Sequence, residues 1–275
     1  MRLLLCSTNS PFALDIPLCS ILPDTRGNIY GQFRIKYSNG EVVDAWVTTC
    51  RERDGPSIDN TFTRYEFGLK DFKVEWTGPG AVEAEAIIVV EDKHTFRTLK
   101  GISRGCGLVM VYHEGLPSVD CKSTVRGLQM RLQVPVYLLC DLDLGGMQAL
   151  SSYVGADAFD AGSRAVANVT AEQVFEMPNI RWLGPLPSHC HTVNSKRPLG
   201  ERLRRTTLSE TNIDRIITLV GEDGENAMSP ERPRKRKREI KLLLTHKMKV
   251  KAQALFIDKM PDELNDMLDK LFEQW

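Results

Sequence analysis

From about residue 84 the chain alternates between unbroken apolar runs and stretches with helical spacing. Ala86-Ile-Ile-Val-Val90, Leu108-Val-Met-Val-Tyr112 and Val134-Pro-Val-Tyr-Leu-Leu-Cys140 are continuous and largely β-branched or bulky. That is the pattern of strands buried on both faces rather than one. Residues 93–100 and 119–132 have helical spacing between these runs, a short helix is predicted over residues 146–153, and a fourth strand over residues 180–183. Strand, helix, strand, helix, strand in units of this size predicts an α/β fold, a parallel sheet with helices on its faces.

Upstream the rhythm is different. Tyr30-Gly-Gln-Phe-Arg-Ile-Lys-Tyr37 largely alternates apolar and polar residues, Ser38-Asn-Gly40 supplies a turn, and Glu41-Val-Val-Asp-Ala-Trp-Val47 runs back. This predicts a hairpin. Trp76-Thr-Gly-Pro-Gly80 breaks the chain, so a β-rich segment over 1–83 is expected to precede the α/β unit over 84–275. Beyond 196 the chain turns helical. Ser209 is placed to cap a helix running to Val220, Pro233 to start a long helix to about Ile257, and Pro261 to open the last one. Leu264, Met267, Leu268, Leu271 and Phe272 make one apolar stripe on that last helix, which reads as core packing.

Composition adds little until it is divided. The 275 residues suffice for one large domain or two smaller ones, and 36 basic residues balance 36 acidic ones. Neutrality argues against disorder driven by charge and against a uniformly basic DNA coat. Residues 196–251, however, hold 16 Lys and Arg against 8 Asp and Glu, while residues 252–275 hold 2 against 6. The basic density peaks at Arg232-Pro-Arg-Lys-Arg-Lys-Arg238, which suits a nuclear-import signal or a solvated face before a phosphate-binding one. No apolar run approaches 18 residues, so no membrane span is expected. The start, Met1-Arg-Leu-Leu-Leu-Cys6, is too short for an export signal. Seven scattered cysteines without a Cys-x-x-Cys pair point to reduced thiols. His189-Cys-His191 lacks a second pair at zinc-like spacing and reads as a surface loop, and Cys140 as a small core residue.

The candidate chemistry lies where predicted strands end. Glu91 follows Val90 directly, and Asp141-Leu-Asp143 follows Cys140. In an open parallel sheet the carboxyl ends of strands converge on one crevice. Three carboxylates gathered there repel one another unless a cation neutralises them, and hard oxygen donors near phosphate select Mg²⁺. Gly145 and Gly146 would leave the following helix start open to a phosphate. Asp143 also fits the simpler role of a helix N-cap.

Glu91 on one strand, with Asp141-x-Asp143-x-x-Gly146 on another, resembles the Toprim domain of topoisomerases, primases and certain nucleases. Gly115-Leu-Pro117 before a helix, Val134-Pro-Val-Tyr137 leading into the acids, and Ile180-Arg-Trp-Leu-Gly184-Pro-Leu-Pro-Ser188 narrow the resemblance. They are similar to the A subunit of DNA topoisomerase VI, and more so to its eukaryotic meiotic branch, which makes the double-strand breaks that initiate recombination. Lys247-Met-Lys-Val-Lys-Ala-Gln-Ala-Leu255 resembles a basic helix near that family's C-terminus, and Leu3–Thr8 and Gly27–Gly31 its short β segments upstream of the Toprim domain.

The resemblance implies Mg²⁺ held by Glu91, Asp141 and Asp143, with Gly146, Lys122, Lys247, Lys249 and Lys251 toward phosphate. It implies double-stranded DNA as substrate, a nuclear, chromosomal location and a type IIB topoisomerase activity. A homodimer, or a heterodimer with a full-length paralogue, is expected, and the further partner implied is a topoisomerase VI B-like protein. In the family a winged-helix tyrosine, in a motif like Arg-Asp-Ile-Tyr-Tyr, attacks the backbone phosphate. None of the six tyrosines here (30, 37, 65, 112, 137, 153) stands in such a motif, so the winged helix is expected to be truncated or missing. Asp92, Leu144, Ser118 and Lys122 stand where Lys, Pro, Asp and Arg are usual; the last exchanges a bidentate fork for a point charge. The chain is thus expected to supply the metal half of a composite site, as an incomplete gene model or as the partner of a longer paralogue. An inactive DNA-binding scaffold and a Toprim nuclease using metal-activated water are the alternatives.

Overall fold

The computed structural model describes residues 27–37, 40, 42–45, 72–77, 83–102, 107–154, 177, 179–188, 206–220, 233–256, 266, 268, 269 and 271–273. In chain order the elements begin with β1 (Gly27–Tyr30), β2 (Phe33–Tyr37), β3 (Val42–Asp44) and β4 (Phe72–Trp76). The α/β unit follows as β5 (Ala86–Val90), α1 (Lys93–Ile102), β6 (Leu108–His113), α2 (Val119–Leu132), β7 (Val136–Leu139), α3 (Leu144–Val154) and β8 (Arg181–Gly184). After it come β9 (Thr206–Thr207), α4 (Glu210–Val220), α5 (Pro233–His246), β10 (Met248–Lys249) and a 3₁₀ turn (Ala252–Leu255).

Five strands form the central sheet in the order β1-β6-β5-β7-β8. β5 runs parallel to both β6 and β7, and β7 runs parallel to β8. The apolar runs explain why these strands lie inside: every residue of β5 and β7 is buried. Each such aliphatic side chain contributes about 1.5–3 kcal/mol by leaving water. Helix α2 is delimited as its sequence predicts, with the Ser118 hydroxyl accepting from the Cys121 N–H at 3.2 Å and Gln133 closing it at φ 55°. Helices α1 and α2 pack on β5 and β6, and α3 packs on α4. The chain leaves β5 for β6 on one side and reaches β7 on the other. The direction of winding therefore reverses between β5 and β7, and a ligand crevice opens at such a reversal.

Three expectations need correction. The predicted strand over 30–37 is two strands that join different sheets. A side chain on Gly31 would fall 2.5 Å from the Phe33 ring, so the chain turns tightly there. β1 becomes the antiparallel edge of the main sheet, against β6, while β2 pairs with β3 and β4 in a separate three-stranded sheet. The two sheets therefore do not divide at residue 83. β4 adds a strand to those predicted, and its sequence Phe72-Lys-Val-Glu-Trp76 alternates cleanly.

The third correction concerns the long helix expected from Pro233 to about Ile257, which stops at His246. Lys247 turns to φ 48°, its N–H returns to the Leu243 carbonyl, and its carbonyl accepts from the Leu208 N–H at 2.7 Å. The first part of the segment resembling a basic helix is instead extended, with β10 paired to β9 and Val250 to Leu142, and only Ala252–Leu255 coils, as a 3₁₀ turn.

On the last segment Leu268 and Leu271 are buried and Phe272 packs on Tyr137 at 4.6 Å, whereas Leu264 and Met267 lie outside the described residues. His189-Cys-His191, the linker over 221–230 and Arg232 also lie outside them. Cys121 and Cys140 are buried thiols, not joined in a disulfide. No helix among the described residues is long and apolar enough to cross a membrane.

Candidate acidic site at the strand ends

Glu91 leaves β5 and Asp141 leaves β7, and the parallel pairing of the two strands brings them together. The Glu91 N–H donates to the Leu139 carbonyl at 3.1 Å, and the Asp141 N–H donates to Glu91 Oε2 at 3.1 Å. Two residues on, Asp143 caps α3: its Oδ1 accepts from the Gly146 N–H at 3.1 Å, and its carbonyl accepts from the Met147 N–H. The simpler role foreseen for Asp143 is therefore present. It also engages the Gly146 N–H that was expected to face a phosphate.

The two glycines are there for space. A Cβ on Gly146 would stand 1.9 Å from the Asp141 carbonyl oxygen, so no other residue lets the helix start this close to the strand end. A Cβ on Gly145 would stand 3.3 Å from Asp143 Oδ1 and 3.4 Å from Glu91 Oε1. Two hard carboxylate oxygens thus face one gap, which a side chain at 145 would crowd.

Two lysines stand against the acids. Lys249 Nζ lies 3.0 Å from Asp143 Oδ2. Lys251 Nζ contacts Asp141 Oδ2 and lies 4.0 Å from Asp143 Oδ2. Asp141 Oδ1 also accepts from the Ala252 N–H at 2.8 Å, which caps the 3₁₀ turn. The contacts follow from register. Leu142 and Val250 exchange hydrogen bonds at 2.8 and 3.1 Å as an antiparallel bridge, so 141 stands opposite 251 and 143 opposite 249. Leu142 and Val250 point into the core, so their neighbours on both strands project to the other side, toward one another. The extended backbone has a signal in the sequence, though the pairing does not: in Lys247-Met-Lys-Val-Lys251 charge alternates with period two, the spacing of a strand and not of a helix.

Electrostatics follows the geometry. Burial pushes the Glu91 carboxyl up to about 7; the charges of Asp141 and Asp143 add to the rise, against the Asp141 N–H and Lys251. Burial raises Asp143 too, but the Gly146 N–H and Lys249 outweigh it and hold the group below the usual carboxylate range. Burial pulls Lys251 down, but the hydrogen bond and charge of Asp141, with the charges of Asp143 and Glu91, together outweigh it and hold the ammonium above its usual range. Burial, helped by the three acids, keeps the Cys140 thiol well above its ordinary range, and its Sγ donates to the Gly146 carbonyl. Cys140 is a wall of the site and not a nucleophile.

The other predicted residues are elsewhere. Lys122 is buried on α2 and donates to the Ser152 carbonyl in the last turn of α3, at 3.5 Å. Lys247 pairs with Glu210 at 2.6 Å. Among the described residues no three His, Cys, Asp or Glu side chains converge into a ready metal site. The donors nevertheless suit a small hard cation: Glu91 and Asp143 face a common gap, Asp141 stands beside them, and two ammonium groups already supply positive charge.

Comparison with known proteins bears on this arrangement. The family of the topoisomerase 6 A subunit/Spo11 Toprim domain matches residues 86–268. The mouse meiotic recombination protein SPO11 is 27% identical over 180 residues, covering 63% of this chain and 40% of its own length. The A subunit of type 2 DNA topoisomerase 6 from Hyperthermus butylicus is 26% identical over 206 residues, covering 72% and 47%. Its counterpart from Aeropyrum pernix is 26% identical over 244 residues, covering 86% and 54%. The chain spans about half the length of the curated relatives it matches.

Proposed function

Because this chain belongs to the Toprim family of Spo11 and the topoisomerase 6 A subunit, we propose that it acts on double-stranded DNA as the acidic half of a strand-cleavage centre. Glu91, Asp141 and Asp143 hold Mg²⁺ in this reading, and the role is in meiotic break formation on nuclear chromosomes. The observation that carries it is the meeting of Glu91 and Asp143 around the Gly145 gap, at the β5/β7 reversal, with Asp141 alongside. When bound, the ion neutralises charge gathering on the phosphate and on the departing oxygen. The chain's own part is to hold three carboxylates in register, to keep water from their buried side, and to carry a proton on Glu91 until a cation takes its place.

The nucleophile comes from another protomer. No tyrosine of the chain stands in the family's motif, and Tyr30, Tyr112, Tyr137 and Tyr153 are at most 3% exposed. In the reaction the resemblance implies, a tyrosine oxygen attacks phosphorus and the P–O3′ bond breaks. The 3′-oxygen leaves with a proton, and the tyrosine keeps the 5′-phosphate. A topoisomerase VI B-like protein is the further partner.

The chain alone, given Mg²⁺ and a labelled duplex, should bind DNA and form no detergent-resistant adduct. Adding a family member that carries the tyrosine motif should produce one. A tyrosyl–DNA adduct from this chain alone would overturn the division of roles. One observation favours an inactive scaffold: every acid already has a partner within the chain. Asp141→Asn separates the two, because a scaffold keeps DNA binding and its biological role, whereas the mixed assembly loses cleavage.

A further inference from the structure

We infer that Lys249 and Lys251 are built-in counter-ions of the acidic site, which a divalent cation displaces and which the phosphates of a bound duplex then receive; this rests on the metal reading above. Three observations lead there. First, the contacts are imposed by backbone register. The Leu142–Val250 bridge sets 141 opposite 251 and 143 opposite 249, and both apolar partners are locked in the core. Directly opposed charges of unlike sign across a strand pair are a built feature of the fold.

Second, the lysines and a dication compete for the same oxygens. Lys251 reaches Oδ2 of both aspartates and Lys249 takes Oδ2 of Asp143. An ammonium and a divalent cation on one carboxylate oxygen lie within a few ångströms and repel, so occupancy by one disfavours the other. Third, the lysines are free to move while the acids are not. The side chains of Lys249 and Lys251 are 37% and 55% exposed, against 12% and 10% for Asp143 and Asp141. A four-carbon stem lets each ammonium leave without any change in the backbone pairing. Once displaced, both stand beside the acids on the same face of the bridge, where a phosphate bound at the site would find them.

The full chain is titrated with Mg²⁺ and with Mn²⁺ by calorimetry, as wild type, as Lys249→Met/Lys251→Met, and as Lys247→Met, whose partner Glu210 lies outside the site. The double variant should bind either ion about tenfold more tightly, and in chelator it should melt about 2–4 °C lower because its acids have lost their counter-ions. Lys247→Met should match wild type in metal affinity. Wild type binding with no gain in the double variant overturns the counter-ion inference and leaves the metal reading standing. Binding by neither protein overturns the metal reading and the exchange together. Circular dichroism checks the fold, and Lys249→Gln/Lys251→Gln replaces the Met pair if that pair unfolds. A second measurement tests the hand-over. At fixed Mg²⁺ the slope of log affinity for duplex DNA against log salt should be shallower by about 2 in the double variant, one for each lost phosphate contact. Without Mg²⁺ the slopes should agree, and equal slopes in both conditions overturn the hand-over.

Discussion

At the scale of single residues, the acids are held by opposite means. Asp143 is stabilised as an anion by an N–H and a lysine, and Glu91 is pushed toward its neutral form by burial beside two other carboxylates. This difference has a consequence for stability. Without a divalent ion the fold favours protonated Glu91, so between pH 4.5 and about 7 it binds more protons than the unfolded chain. Stability therefore falls as pH rises through that window, by on the order of 2–3 kcal/mol. His113 acts in the opposite sense. Burial lowers it to about 4, so it costs stability as pH falls from 6.5 toward 4, and the two trends overlap. Comparing wild type with Glu91→Gln in chelator isolates the first, since the amide oxygen still accepts from the Asp141 N–H. The variant should gain on wild type between pH 5 and 8 in denaturant melts; a difference independent of pH would show that Glu91 is not the titrating group. Asp143 and Lys251 titrate outside this range, one below 3.8 and the other above 10.5.

At the scale of elements, the two-residue strand β10 and the bridge after it decide how the site is charged. They carry almost no apolar burial of their own beyond Met248 and Val250, yet they set which lysine meets which aspartate. Replacing Val250 by proline removes the N–H that donates to Leu142 and should cost about 1–3 kcal/mol. The amide of Leu142 should then lose its protection against hydrogen exchange, while the amides of β5 and β7 keep theirs. Retained protection at Leu142 would mean that the bridge is not what holds this segment. The element was within reach of sequence reading. The alternation of Lys with Met and Val has the period of a strand, but a basic run that follows a helix start invites continuation of the helix. Only the turn at Lys247, held by Leu208 from a distant segment, breaks it. The buried strands posed no such ambiguity. Five consecutive apolar residues at Ala86–Val90 admit burial on both faces and little else.

At the scale of the whole molecule, one strand from before residue 84, β1, is part of the α/β sheet and not merely attached to it. β1 covers the edge of β6, whose residues are apolar along most of its length. Deleting residues 1–30 should expose that edge and produce association that grows with concentration in light scattering. A monodisperse product of unchanged stability would show that β1 is dispensable. Legible in the sequence alone were the α/β class, the succession of buried strands along the chain and the carboxylates that follow two of them. Each of these is written in a local period or in a residue's place beside an apolar run. What neither period nor spacing contained was the partner of each charge. Asp141 meets Lys251 across 110 positions of chain, Asp143 meets Lys249, and one edge strand comes from the far side of a predicted boundary. Such pairings depend on which backbone hydrogen bonds close once the core has formed, and that choice belongs to the tertiary structure alone.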